Sequence, residues 1–186
     1  MPMLHENTRG SEVLCELGAG IFRLFRHFHS DVKTTIGIEL IQTYIDNRDD
    51  KSAIAIQGNI EDFESLLERE GWLDKIDTIV IIDVLEHLHK EEAYDILKRA
   101  QKRVKRILAF TPLGFDEQSG ADEYDFARPG LKGKFTESQR ADAIESQRHK
   151  SAWQALDFET LGFQKVIVDV NYHRKGEGAI WARWDK

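Results

Sequence analysis

The sequence is poor in residues that cross-link or interrupt a chain. Cys15 is its only cysteine, which excludes an internal disulfide and fits a reducing, cytoplasmic setting. Three prolines leave no room for a Pro-rich linker, and neither a tandem repeat nor a low-complexity tract is present. Nothing approaches the roughly 18 consecutive apolar residues that a membrane span needs. The opening MPMLHENTRG lacks the basic and apolar regions of a secretory leader. An excess of positive charge is missing too. The formal net charge is −7, which argues against nucleic acid as a partner. The one cationic stripe (Lys98, Arg99, Lys102, Arg103, Lys105, Arg106) reads as the solvated face of a helix. The remainder is 41% hydrophobic and 32% charged, the balance of a soluble protein, and 186 residues suffice for one domain with a sizeable core.

Short apolar runs of β type alternate with amphipathic segments, the pattern of a parallel sheet covered by helices. Strands are predicted at Glu12–Leu17, Lys33–Glu39, Ala53–Gln57, Ile76–Ile82 and Val104–Phe110. The fourth contains Ile79-Val80-Ile81-Ile82, apolar throughout and so expected to be buried on both faces. Helices are predicted after each of the first four strands: around Ile21, Leu24, Phe25 and Phe28, then Leu40–Asn47, Glu61–Glu70 and Lys90–Arg103. From Leu113 to Lys134 no period is visible, and so long a connection suggests a functional loop. Helix returns between Thr136 and Leu161, in two pieces with Ser151 capping the second, and Gly162 ends it. Two last strands, Phe163–Tyr172 and Ala179–Trp184, are joined too tightly for a crossover helix and should pair antiparallel. Plain nucleotide-binding α/β domains rarely end in such a hairpin.

Gly18-Ala19-Gly20 joins the first predicted strand to the first predicted helix, where glycines let the backbone bend and approach a ligand closely. Glu39 ends the second strand about 20 residues later, where a carboxylate can accept from both hydroxyls of a ribose. Together they point to an adenosine-containing ligand. A dinucleotide fingerprint would need a third glycine, and its place is taken by Arg23. Glu16, two residues before the first glycine, would repel a phosphate and suit a cation. No Walker-type phosphate loop is present. These features fit an adenosine ligand with an amino-acid end, S-adenosylmethionine.

The chain resembles the class I S-adenosylmethionine-dependent methyltransferases of small-molecule type. The resemblance lies in Val13–Gly20, Gly37-Ile38-Glu39, Gly58-Asn59-Ile60-Glu61-Asp62 and, most specifically, Ile81-Ile82-Asp83-Val84-Leu85-Glu86-His87-Leu88. His149–Trp153, Asp157-Phe158 and Leu161-Gly162-Phe163 are similar to the final helix–strand unit of such proteins. It implies a single domain over 1–186 with a doubly wound, mostly parallel seven-stranded sheet. The last strand would be antiparallel and inserted beside the fifth. Residues 113–150 would form a substrate or lid insertion.

By that resemblance Glu16, Gly18, Ala19 and Gly20 would lie against the methionine part of the cofactor. Glu39 would hold the ribose and Leu40 would cover the adenine. Asn59 and Ile60 would frame the adenine, and Asp83 and Val84 would border the methionine end. His87 would face a small-molecule acceptor, with His149 as a second candidate base. Two departures stand out. Phe22 occupies a place where family members often carry glycine, and would crowd the cofactor's carboxylate end. Asn59 replaces the usual Asp.

Only Met1–Ser11 precede the first strand, so the roof would come from the Leu113–Lys134 loop or from the partner of a homodimer. In that loop Tyr124, Phe126, Arg128, Lys132 and Lys134 mix rings and charges in a way that suits an anionic or sugar-like substrate. No metal is expected. The pairs His27/His29 and His87/His89 are two apart and diverge on a helix, and no second ligand cluster has metal spacing. A non-catalytic binding protein on the same fold is the alternative. A nicotinamide-dependent oxidoreductase is disfavoured by the missing glycine and the terminal hairpin.

Overall fold

The computed structural model describes residues 2–114, 131–174 and 177–186. Strands β1 (Val13–Leu17), β2 (Thr34–Glu39), β3 (Ile54–Gln57), β4 (Thr78–Ile82), β5 (Arg106–Pro112), β6 (Lys165–Arg174) and β7 (Glu177–Asp185) form one sheet. Its order is β3-β2-β1-β4-β5-β7-β6. The first five strands are parallel, and β7 lies antiparallel between β5 and β6. This is the doubly wound sheet with an inserted last strand that the sequence resemblance implies. All of β4 is buried, as its unbroken apolar run requires.

Side chains alternate across the sheet and divide the core in two. One face carries Cys15, Ile36, Ile38, Ile79, Ile81, Ile107 and Ile180 against α3 (Phe63–Arg69), α4 (Lys90–Arg103) and α6 (Ala155–Thr160). Helix α4 spans the residues predicted, burying Ala93, Ile96, Leu97 and Ala100 at helical spacing. The Glu92 carboxylate accepts from the backbone N–H of His89 at its start, and Lys102 and Arg103 lie in its last turn. In the cationic stripe Lys98, Lys102 and Lys105 are exposed and the three arginines are paired. Arg99 and Arg103 pair with Glu64, and Arg106 pairs with Asp185.

The other face is covered more thinly, by α1 (Pro2–Asn7), α2 (Gln42–Asp46) and an aromatic cluster. The helix predicted around Ile21–Phe28 does not form. A 3-10 turn, Leu24–His27, stands there instead. Phe22, Phe25 and Phe28 recur every third residue, which suits three residues per turn, and their rings stack at centroid distances of 5.2 and 5.4 Å. Helix α5 (Glu137–Ser146) precedes α6, and its N-cap Thr136 side chain accepts from Gln139 N–H. Ser151 is not the cap of α6. Gln154 holds that position, while the Ser151 hydroxyl donates to Leu85 O and accepts from Trp153 Nε1 inside the core. Gly162 (φ 78°) follows α6 in the left-handed conformation expected of a helix stop. Among the described residues no helix is long and apolar enough to cross a membrane.

Candidate functional site

At the carboxyl edge of the parallel strands, β1 runs into a turn with Gly18 at φ 76° and Gly20 at φ 54°. The N–H groups of Gly18 and Ala19 both donate to Ile38 O (2.9 and 3.1 Å), which ties the turn to β2. A Cβ on Gly18 would lie 2.5 Å from a Val84 methyl, so the turn also packs on the segment after β4. At Gly20 the corresponding space is open. There the backbone N–H donates to Glu39 Oε2 (2.7 Å), while Ile41 N–H donates to Glu39 Oε1 (2.8 Å). Glu39 is 6% exposed. Burial raises its pKa, opposed by the N–H groups of Ile41, Gly20 and Leu40. Each oxygen keeps a second lone pair for a ligand hydroxyl.

Glu16 points to the same face of the sheet one strand away and is 2% exposed. Burial raises its pKa well above the carboxylate range, with Glu39 and Asp83 adding to the effect. Its Oε2 is buried with no hydrogen-bond partner. Phe22 lies on this same face, because Gly37, which its ring covers, is the register partner of Glu16. Its ring is 1% exposed and sits over the backbone of Gly37, where a Cβ would strike it. Phe22 itself has φ 59°, a strained conformation for a bulky residue.

The residues expected around the adenine and the methionine end are brought to this edge, though not all are free for contact. Leu40 is 51% exposed and available as an apolar cover. Asn59 caps the next turn, its Oδ1 accepting from Glu61 N–H and its Nδ2 donating to Glu61 Oε1. Ile60 is buried in the core, so its side chain faces inward. Asp83 is exposed, with φ 53° and its N–H donating to Phe110 O (3.0 Å).

Beyond β4, a 3-10 turn spans Leu85–His87 and brings Glu86 and His87 to this end of the sheet. Glu86 O accepts from the N–H groups of Lys150 (2.7 Å) and Ser151 (3.1 Å), which docks the segment after α5 here. His87 and His149 thereby stand with ring centroids 5.0 Å apart, although 62 residues separate them. His87 Nδ1 lies 3.4 Å from Arg148 O. Burial lowers the His87 pKa to about 4, with the neighbouring His149 contributing. Glu86 is buried, its Oε2 accepting from the Thr111 hydroxyl (2.9 Å). Burial and Asp83 push its pKa up to about 8. Sequence reasoning missed Glu86 as a site residue, because its burial depends on β5 and on the segment around 150. Trp153 is fully buried core.

Leu131, Ile21 and Tyr44 form a small core of their own, with Phe135 packed against it. The Phe135 and Tyr44 rings meet edge-on at 5.5 Å, and Gln147 Nε2 donates to the Tyr44 hydroxyl (2.7 Å). The described part of the insertion thus folds back over Ile21 and α2, beside the glycine turn. Lys132 and Lys134 are exposed, while Tyr124, Phe126 and Arg128 lie outside the described residues.

No protein-family profile and no curated protein matches the chain. Solved structures do. A SAM-dependent methyltransferase from Archaeoglobus fulgidus is similar at 14% identity over 96% of this chain and 89% of its own, with a TM-score of 0.59. The N-terminal domain of EvdMO1, solved in the presence of SAH and D-fucose, is similar at 16% identity over 98% of this chain and 79% of its own (TM-score 0.57). Against the larger EvdMO1 structure the values are 15%, 98% and 0.57, and this chain spans 39% of it. The chain has the fold of the class I S-adenosylmethionine-dependent methyltransferases.

Proposed function

We propose that this chain is an S-adenosylmethionine-dependent methyltransferase acting on an oxygen or nitrogen of a small metabolite or glycan precursor. The observation that carries the reading is the pairing of Glu16 with Glu39 about the glycine turn. One buried carboxyl oxygen has no partner, the other acid is pinned on Gly20 N–H, and the space beside Gly20 is open. An unpartnered buried polar atom costs about 1–3 kcal/mol, and a ligand ammonium is the group that would relieve it.

S-adenosylmethionine supplies, when bound, a methyl carbon made electrophilic by its sulfonium sulfur. Glu16 and Asp83 receive the ammonium end, Glu39 the two ribose hydroxyls, and Leu40 and Asn59 the adenine ring and its amino group. The close packing of Val84 on Gly18 fixes the turn relative to β4, so donor and acceptor subsites keep one separation. His87 and His149 face the acceptor and orient it. A hydroxyl or amine acceptor would have to lose a proton on methylation, and that proton would pass to solvent. His87, with a pKa of about 4, is a weak base at neutrality and therefore acts as an orienting group. The roof made by Leu131 and Phe135 excludes water from the same side. A sugar hydroxyl as acceptor is supported by the D-fucose present with the EvdMO1 domain.

Calorimetric titration tests the assignment. S-adenosylmethionine and S-adenosylhomocysteine should bind in the micromolar range, NAD should not, and Glu39→Gln should weaken both by at least about tenfold. Absence of binding to the wild-type chain overturns the reading.

A further inference from the structure

Away from the glycine turn, Glu86, His87 and His149 bring a carboxylate oxygen and two imidazole nitrogens within 4.8 Å of one another. We propose that these three side chains form a binding site for a divalent first-row transition-metal ion, whose open positions take an oxygen of the methyl acceptor. The acceptor's role rests on the methyltransferase reading above. The metal site does not.

Two imidazoles and one carboxylate are a donor set suited to zinc, iron or cobalt. Magnesium and calcium favour sites made wholly of oxygen. His87 Nδ1 lies 3.4 Å from Arg148 O, which can only accept; in the neutral tautomer that donates there, Nε2 carries the lone pair. That Nε2 lies 4.0 Å from Glu86 Oε1. Donors each about 2.0–2.2 Å from one ion stand roughly 3.3–3.6 Å apart in a tetrahedral site, so the pair closes on an ion by a shift of about half an ångström. The wider limit of 4.8 Å closes by a small rotation of a side chain. Supporting contacts are in place as well, since Thr111 holds the second oxygen of Glu86 and Arg148 O fixes the His87 ring.

Glu86 is buried, and a bound cation would offset the cost of holding its carboxylate away from water. Both histidines are partly exposed, so two or three coordination positions can open toward solvent and an incoming hydroxyl. Such an ion would lower the pKa of a bound hydroxyl, a task for which His87 itself is a poor base.

The test uses the untagged full chain, stripped of metal with a chelator. Cobalt(II) is titrated and followed by its visible absorption, with zinc and magnesium titrated in parallel by calorimetry. One equivalent of cobalt and of zinc should bind, and magnesium should be far weaker. His149→Ala, a change at a partly exposed position, should lose at least about 10- to 100-fold in metal affinity while keeping its circular dichroism. Glu86→Gln should lose as much with little change in shape. Failure of cobalt and zinc to bind overturns the metal site, as do magnesium preference or unchanged affinity in both variants. Metal binding without S-adenosylmethionine binding leaves the site standing and removes only its link to methyl transfer. With both bound, a metal-dependent drop in acceptor KM supports that link, and an unchanged KM overturns it.

Discussion

Glu16 is buried with one oxygen unpartnered, which costs stability where it stands. Glu16 has a raised folded-state pKa, caused first by burial and then by Glu39 and Asp83. Its contribution to stability is complete below the unfolded carboxyl pKa of about 4.3, and is lost at about 1.4 kcal/mol per pH unit as pH rises toward the folded value. Glu16→Gln removes that slope. In urea unfolding, the variant should lose less stability than wild type as pH rises above the unfolded carboxyl value of about 4.3, and equal slopes would contradict the assignment. The same substitution should weaken S-adenosylmethionine binding, because an amide cannot balance an ammonium. A cation arriving beside Glu16 pulls its pKa down, so binding should release a proton and tighten with rising pH. Titrations in buffers of different ionisation heat check this, and Glu16→Gln should abolish most of the buffer dependence.

At the level of the element, the strands were legible because each is a short apolar run closed by a turn signal. Helix α4 was legible because its 14 residues give the 3.6 period room to show. The stretch after Gly20 was not. Over about eight residues rich in Phe, a period of three cannot be told from one of 3.6, and the decisive contact, Phe22 over Gly37, is long-range. Gly37 reads in the sequence as an ordinary strand residue, yet its missing side chain is what admits that ring. Phe22→Ala should therefore cost about 3–5 kcal/mol as a cavity. Gly37→Ala should destabilise by overpacking, roughly 1–3 kcal/mol. The double variant should recover part of the combined loss, since the new methyl occupies space the ring has left. Strict additivity in chemical unfolding would mean that the two residues do not share that volume.

Across the whole molecule, the terminal hairpin followed from the sequence and the place of the last strand beside the fifth from the resemblance, whereas convergence across the fold did not. Glu86 and His149 meet only because the backbone after α5 hydrogen-bonds to Glu86 O, and nothing at 149–151 announces that partner. The roof is of the same kind. Leu131, Phe135, Ile21 and Tyr44 are scattered over more than a hundred residues, and only folding shows that 131–135 pack on Ile21 and α2, beside the glycine turn. The cluster is small, so this region should open locally at far lower cost than the sheet. Phe135→Ala removes one side of it without touching β1, β4 or β5. Hydrogen exchange of residues 131–147 should quicken by about tenfold or more in the variant, roughly what a loss of 1.4 kcal/mol produces. Exchange in the central strands should stay unchanged. S-adenosylhomocysteine should slow exchange in 131–147 of the wild type, because the ligand lies beneath the roof and its binding energy must be lost for the roof to lift. If ligand protects the glycine turn but leaves 131–147 exchanging as before, the insertion covers only α2 and the donor site opens directly to solvent.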